Sequence, residues 1–351
     1  MTDFLGHAYP RLAERLQKVA LADLPTPVSS IDFGTDSGGR RIAVKHDDQS
    51  NSQYGGNKIR KLEYILQRAR ERGARRIATF GAVGSNHALA TAIFARECGF
   101  DCTCFLGTQK PAPNIGRTLN MHRRLGTEIV RFGASVDRLA VLRRYLHGRR
   151  SWVVPLGGSS WLGAAGFVNA GLELAHQVAA GEVAMPTRIY IANGTMGSSV
   201  GLALGLALAD MPTELHVVRV VDDFIANPER FDRLLRKTAM MLRRVDASIS
   251  GDIANRTQVR WRDEFFAGGY AVADEVTREA VHFAEQQLSL ALETTYTGKA
   301  MAALLHDLAA PDYAGEHCLF WNTYNSRPLP VDGKRPATRD NMPQEFMTYF
   351  D

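Results

Sequence analysis

The feature that most limits what this chain can fold into is a repeated switch of hydrophobic period. Between residues 41 and 321, short runs rich in β-branched and aromatic residues alternate with longer stretches whose apolar residues recur every three to four positions. Arg41-Ile-Ala-Val-Lys45, Arg76-Ile-Ala-Thr-Phe80, Asp101 to Leu106, Glu128 to Phe132 and Trp152-Val-Val-Pro155 read as strands. So do Arg188-Ile-Tyr-Ile-Ala192, Leu215 to Val221 and His317 to Trp321. Between them, Lys61 to Arg72 carries Leu62, Ile65, Leu66 and Ala69 on one helical side. Helices are also predicted over Ala88 to Cys98, Asn114 to Leu125, Val136 to Leu146, Gly163 to Ala180 and the apolar run ending at Leu208. Strands joined through helices pair in parallel, so the alternation predicts an α/β fold with helices on both faces of parallel sheets.

A chain of 351 residues exceeds one simple core, and two lobes are expected. The reading places 51–159 in a smaller lobe and 1–50 with 160–351 in a larger one, although no linker marks the boundary. From Arg327 onward the chain is rich in Pro and polar residues, which predicts an extended tail.

Several classes are excluded at this stage. No apolar run approaches the roughly 20 residues of a membrane span, and Met1 to Tyr9 lacks an apolar signal segment, so a cytoplasmic protein without a membrane partner is expected. The formal charge of +5 is modest. Its basic residues cluster as Arg68, Arg70, Arg72, Arg75 and Arg76, and as Arg143, Arg144, Arg149 and Arg150, with no nucleic-acid motif beside them. Solvated helix faces are the simpler reading, and no nucleic-acid partner is expected. Cys102 and Cys104 would share one face of a buried strand as packing residues. No second Cys/His pair stands at ligand spacing, so neither a metal site nor a disulfide framework is expected.

Three segments carry chemistry. Gly55-Gly-Asn-Lys-Ile-Arg-Lys61 sets two glycines before a lysine at a helix start, and such a lysine can form an imine with an aldehyde cofactor. Lys61 lies one helical turn on, on the same face, where it could meet a phosphate. Asn193-Gly-Thr-Met-Gly-Ser-Ser199 joins a buried strand to an apolar helix, an arrangement whose backbone N–H groups and small hydroxyls make an anion cradle. It is neither a Walker A loop nor a clean dinucleotide fingerprint. Gly84-Ser-Asn-His87 stands at another strand-to-helix junction, where Ser85 either caps the helix or meets a substrate carboxylate.

Together with Gly157-Gly-Ser-Ser160 and Tyr296-Thr-Gly-Lys-Ala300, these segments occur in the order seen in fold-type II pyridoxal-phosphate enzymes. Over about residues 20 to 325 the chain resembles the D-cysteine desulfhydrase and 1-aminocyclopropane-1-carboxylate deaminase branch of the tryptophan synthase β superfamily. The resemblance implies a two-lobed fold with parallel sheets mixed at their edges, pyridoxal 5'-phosphate in the cleft between lobes, and a homodimer. It implies that Lys58 is the Schiff-base lysine and the base for the α-proton. Lys61, Gly194, Thr195, Met196, Gly197 and Ser198 would hold the phosphate, Asn86 the phenolic oxygen, and Thr297 would face the pyridine nitrogen. Ser85, Asn86, His87, Tyr270, Tyr296 and Thr323 would line the substrate.

The implied activity is β-elimination from a small amino acid, of the D-cysteine desulfhydrase kind, giving a 2-oxo acid and ammonia. A glutamate at the position of Thr297 marks the deaminase pattern, and a neutral hydroxyl supports the electron sink less strongly, which favours elimination. The alternatives on this scaffold are a deaminase, an L-cysteate sulfo-lyase, a racemase or a β-replacement synthase. A non-catalytic cofactor or amino-acid binding protein is the alternative from another class. The family's His-Thr-Gly-Gly-like turn is replaced here by Asn322-Thr-Tyr-Asn-Ser-Arg327. Arg327 is either a bidentate clamp for an acidic substrate group or a surface residue.

Overall fold

The computed structural model describes residues 3–32, 41–112, 115–133, 137–310, 316–329 and 342–350. In chain order the strands are β1 (Val28–Asp32), β2 (Arg41–His46), β3 (Arg76–Ala82), β4 (Asp101–Gly107) and β5 (Glu128–Arg131). They continue with β6 (Ser151–Val153), β7 (Arg188–Asn193), β8 (Glu214–Arg219), β9 (Val259–Arg262) and β10 (Cys318–Asn322). The helices begin with α1 (Phe4–Ala8), α2 (Pro10–Arg15), α3 (Lys58–Glu71), α4 (Asn86–Glu97), α5 (Ile115–Arg124) and α6 (Arg138–Leu146). The remainder are α7 (Trp161–Ala179), α8 (Gly197–Leu208), α9 (Pro228–Val245), α10 (Glu275–Leu288) and α11 (Thr297–Ala309).

The chain divides into two compact units. The first comprises Met1–Gln17, Ala22–Lys61 and Ser159–Arg327, and the second Lys18–Leu21, Leu62–Gly158 and Pro328–Asp351. The sequence reading puts residues 51–61 with the smaller lobe, but here they join the larger unit. The reason is electrostatic: Arg60 is locked to Asp47 and Glu173, both in that unit, by ion pairs of 2.7 and 2.8 Å.

The first unit holds a six-stranded sheet of order β1-β2-β10-β7-β8-β9. Every pairing is parallel except β1 with β2 at the edge, so the expected mixture at an edge is present. Every residue of β10 is buried, as is all of β7 after Arg188, because both strands lie inside the sheet with covered faces. That is why their sequences read as continuous apolar runs. The second unit holds a four-stranded parallel sheet of order β5-β4-β3-β6. Cys102 and Cys104 lie on one face of β4 with sulfurs 3.8 Å apart, both buried.

Helix starts follow capping chemistry. Ser85, Asp137, Ser160, Asn227 and Asp274 each accept a backbone N–H from the first turn of α4, α6, α7, α9 and α10 respectively. The predicted start of α6 at Val136 lies outside the described residues; the helix begins at Arg138 because Asp137 caps it. The tail departs from expectation. Residues 330–341 are outside the described residues, but Gln344–Tyr349 forms a 3-10 turn with Phe346 fully buried. A buried aromatic ring gives that segment a reason to fold back rather than extend.

Candidate active site

Lys58 opens α3, and three neighbours define its surroundings in the first unit. Its Nζ donates to Asn57 Oδ1 at 2.6 Å and lies 6.0 Å from the centre of the Tyr296 ring. Asn57 Nδ2 donates in turn to Ser198 Oγ at 2.9 Å, so the lysine is tied to the first turn of α8. Burial disfavours the ammonium by more than the Glu293 carboxylate favours it, leaving the Lys58 amine pulled down to about 8. Lys61 is buried one turn later, and burial together with the Lys58 charge holds it well below the ordinary lysine range.

What fixes the start of α3 is a buried ion cluster. Arg60 donates from Nε and Nη2 to Asp47 and from Nη1 and Nη2 to Glu173, while Lys45 Nζ reaches Glu173 at 2.6 Å. All four side chains are at most 1% exposed. Burial alone would raise the Glu173 carboxyl, but Arg60 and Lys45 with their hydrogen bonds bring it down to about 2. The two acids balance the two bases, which is what allows charge to sit here at all.

The β7-to-α8 loop has the form of an anion cradle. Met196 stands at the N-cap of α8 with φ of 68°, in the left-handed region, and offers no capping side chain. A helix N-terminus without a cap leaves orphan N–H donors and a partial positive charge. Ser159 Oγ holds the loop through Thr195 Oγ1 at 2.7 Å and through the Gly197 N–H at 3.1 Å. A Cβ at Gly197 would lie 2.7 Å from Ser159 Oγ and 3.1 Å from Lys61 Nζ, so a side chain here would push the Ser159 hydroxyl off the loop, and the Lys61 amine is close to it. At the loop's first residue, buried Asn193 Nδ2 has no acceptor among the described residues. Two depressed amines, an uncapped helix terminus and an orphan donor fit a phosphate-bearing aldehyde. The phosphate answers the donors and Lys61, and the aldehyde answers Lys58.

Beyond Lys58 stand two phenols and a carboxylate. Tyr296 Oη donates to Tyr270 Oη at 3.0 Å, with rings edge-to-face at 5.9 Å. Burial raises both phenols, Tyr296 strongly, so both are protonated at neutral pH. Glu293 accepts the backbone N–H groups of Thr295, Tyr296 and Thr297 at 2.7, 2.9 and 2.8 Å, and so caps α11 from outside. Thr297 is fully buried, and its hydroxyl accepts from Glu293 N at 3.1 Å and donates to Glu293 Oε1 at 3.2 Å. Lys299 binds the Phe266 and Gly269 carbonyls at 2.5 and 3.1 Å, which ties the loop ahead of Tyr270 to α11.

The Gly84–His87 segment belongs to the second unit. Ser85 Oγ accepts from Ala88 N at 3.2 Å, and His87 Nε2 is hydrogen-bonded to Thr79 Oγ1 of β3 at 3.0 Å. Asn86 is half-buried at the first position of α4. Back in the first unit, Thr323 follows β10, and its carbonyl accepts from Asn57 N at 3.2 Å beside Lys58. Arg327 is exposed, and the Asn325 side chain bonds both its N–H and its C=O. The first unit thus brings together Lys58, Lys61, the 194–198 loop, Tyr270, Tyr296, Thr297 and Thr323. Sequence reasoning gave no role to Asn57, Ser159, Glu293 or Lys299. The acid four residues ahead of a Thr-Gly-Lys helix start was the available signal for Glu293.

The family profile described as pyridoxal-phosphate dependent enzyme matches residues 19–323, leaving the C-terminal segment outside it. A D-cysteine desulfhydrase of Salmonella choleraesuis (strain SC-B67) is 33% identical over 306 residues, covering 84% of this chain and 89% of the relative. One from Salmonella schwarzengrund (strain CVM19633) is 32% identical with the same coverage. Among solved structures, a homologue of ACC deaminase superposes with a TM-score of 0.74 at 26% identity, over 93% of this chain and 95% of that one. A fungal L-serine ammonia-lyase from Rhizomucor miehei gives 0.59 at 18% identity, over 84% and 91%, a likeness of fold alone.

Proposed function

We propose, from the premise that this chain belongs to the pyridoxal-phosphate dependent enzyme family, that it eliminates the β-substituent of a small amino acid, with D-cysteine the first candidate. The overall change is D-cysteine plus water to pyruvate, ammonia and hydrogen sulfide. When bound, pyridoxal 5'-phosphate supplies an aldehyde that engages amines and a conjugated ring that spreads negative charge arising at the α-carbon. Lys61 and the Gly194, Thr195, Met196, Gly197 and Ser198 loop would hold its phosphate, Lys58 its aldehyde carbon, and Asn86 its phenolic oxygen.

The protein's own groups account for the remaining steps. The free Lys58 amine would be the base that takes the α-proton of the amino acid, and Asn57 Oδ1 at 2.6 Å aims it. The Tyr296 hydroxyl donates to Tyr270, which leaves the Tyr270 proton available for the departing sulfur or the substrate. Thr297 spends its own proton on Glu293, so it has a lone pair and not a charge to offer the pyridine nitrogen. Ser85 and Asn86 would receive the substrate carboxylate, and His87 and Thr323 would shape the pocket. The exposed Arg327 is proposed as a clamp only for substrates with a second acidic group.

The observation that carries this reading is Lys58 itself: an amine pulled to about 8, braced by Asn57, next to an uncapped helix terminus and a buried second lysine. The test is reduction of the cofactor-loaded protein with borohydride and peptide mass mapping, then product assay. A label on Lys58, with pyruvate and sulfide from D-cysteine and little from 1-aminocyclopropane-1-carboxylate, L-cysteate or D-serine, is the expected result. A label elsewhere removes the assignment of Lys58; turnover of another of these substrates instead reassigns the leaving group. No helix among the described residues is long and apolar enough to cross a membrane. A cytoplasmic homodimer is part of the same proposal, and light scattering of the purified protein tests its dimeric state.

A further inference from the structure

The C-terminal residues 342–350, outside the family match, dock on the second unit by specific contacts. Phe346 is fully buried, and Glu345 pairs with Arg131 at 2.9 Å. At the start of α5, a Cβ on Gly116 would lie 3.0 Å from the Tyr349 carbonyl oxygen and 3.7 Å from the Phe350 ring, so the segment passes hard against the helix. The most telling group is the Tyr349 hydroxyl. It accepts from the backbone N–H of Gln109 at 3.0 Å and donates to the carbonyl of the same residue at 2.8 Å. One phenol thereby takes both main-chain groups of a loop residue and holds its backbone in place.

Gln109 passes that constraint on. Its Oε1 accepts the Gly84 N–H at 3.2 Å, and Gly84 immediately precedes Ser85, the N-cap of α4. A continuous series of hydrogen bonds therefore runs from the C-terminal segment, through both ends of one glutamine, to the loop that carries Ser85, Asn86 and His87. Nothing in this series is required to build β3 or α4, which have their own ladder and cap. Its effect falls on where the loop sits.

We propose that Tyr349 is a positioning residue for the Gly84–His87 loop, acting through Gln109, and that residues 342–350 are a strap that sets this loop for substrate. The consequence for catalysis rests on the reading of Ser85 and Asn86 as the carboxylate-holding pair. The strap acts on the binding of the amino acid and not on the chemistry at Lys58, so it moves KM and leaves kcat.

The experiment uses the full-length, cofactor-loaded enzyme with three substitutions: Tyr349→Phe, Gln109→Ala and Gln109→Glu. Amide hydrogen exchange over 81–90 and over 342–350 is measured beside KM and kcat for whichever amino acid is turned over. Tyr349→Phe keeps the ring, so exchange at 342–350 should change little. Exchange at Gly84 and KM should each rise about threefold to tenfold, the range expected for one lost hydrogen bond, with kcat within about twofold. Gln109→Ala should match it, and Gln109→Glu, which keeps the acceptor, should restore protection at Gly84. Unchanged exchange at 81–90 in both Tyr349→Phe and Gln109→Ala overturns the proposal, as does a failure of Gln109→Glu to restore it. Faster exchange with an unmoved KM supports the strap and overturns instead the carboxylate role of Ser85 and Asn86.

Discussion

The β7-to-α8 and β3-to-α4 junctions, one in each unit, start from similar sequence and finish differently. At α8 the N-cap is Met196, which has no oxygen to offer; Ser159 Oγ takes the Gly197 N–H, and two amines stand near, Lys61 by Gly197 and Lys58 joined through Asn57 to Ser198. At α4 the N-cap is Ser85, whose Oγ accepts the Ala88 N–H, while Gln109 accepts the Gly84 N–H and Thr79 is bonded to His87. The first junction leaves its positive end for an anion to complete. The second satisfies its own donors with neutral groups. Their supports differ in the same way. The α3 turn beside the first is held by charges buried to within 1% exposure, whereas Arg76, at the base of β3, pairs with an Asp101 that is 70% exposed. A site built on buried charge is rigid, sensitive to loss of either partner and sensitive to acid. One built on caps and surface pairs yields by small amounts.

The largest difference should appear on truncating the supports. Glu173→Ala leaves Arg60 and Lys45 buried with one acid between them, and should cost about 3–5 kcal/mol in denaturant unfolding. Asp101→Ala, at the surface of the other unit, should cost no more than about 1 kcal/mol. Equal costs would end the comparison. Acid provides a second arm. The folded Glu173 carboxyl is depressed to about 2, so its contribution is fully present above the ordinary carboxylate value and is lost as pH falls toward 2. Glu173→Gln should flatten the acid limb of the stability profile below about pH 4.5.

Next in size is the junction that awaits an anion. Gly197→Ala sets a methyl 2.7 Å from Ser159 Oγ and 3.1 Å from Lys61 Nζ, and should weaken cofactor binding about 10- to 100-fold, from about 1–3 kcal/mol of overpacking. Equilibrium dialysis of the cofactor reads this directly, and unaltered affinity would mean the phosphate binds elsewhere. A pH effect follows from the same pocket. With the Lys58 amine at about 8, the rate at which the cofactor-stripped protein takes up pyridoxal phosphate should rise about tenfold per pH unit below 8 and level off above it, as the free amine becomes the main form. A plateau near the ordinary lysine value would place Lys58 in water.

Legibility in the sequence followed the range of the interactions. Eight of the ten described strands, the Ser85 cap and the Gly-Thr-Met-Gly-Ser loop were readable because their causes lie within a few residues, whereas β1 and β9, the two edges of the six-stranded sheet, were not. Lys58 and Lys61 were readable as a pair one helical turn apart. Asn57 was not, because its partner Ser198 is 141 positions away, nor was Lys299, which binds carbonyls 33 and 30 positions back. Lys45, Asp47, Arg60 and Glu173 look like surface charges in a linear reading; only folding brings two acids and two bases together and makes their burial possible. The tail was misjudged for a related reason. Its composition is that of an extended segment, and the buried Phe346 and the Gln109 contact of Tyr349 are long-range facts.

The smallest expected effect divides the two roles open to Ser85. A hydroxyl that accepts the Ala88 N–H uses one lone pair and keeps its proton, so Ser85 can cap α4 and still donate to a carboxylate. Ser85→Ala removes both functions and should lower stability by about 1 kcal/mol through loss of the cap. Ser85→Asp separates them. Aspartate caps as well as serine, and its charge suits a helix N-terminus, so stability should hold or rise slightly. It has no proton to give, however, and it opposes an incoming carboxylate, so KM should rise in Ser85→Asp even though the fold is intact. If Ser85→Asp binds the amino acid as the unaltered protein does, the serine is a cap and nothing more. The self-satisfied junction would then contribute shape alone, and recognition of the carboxylate would have to come from the Asn86 side chain.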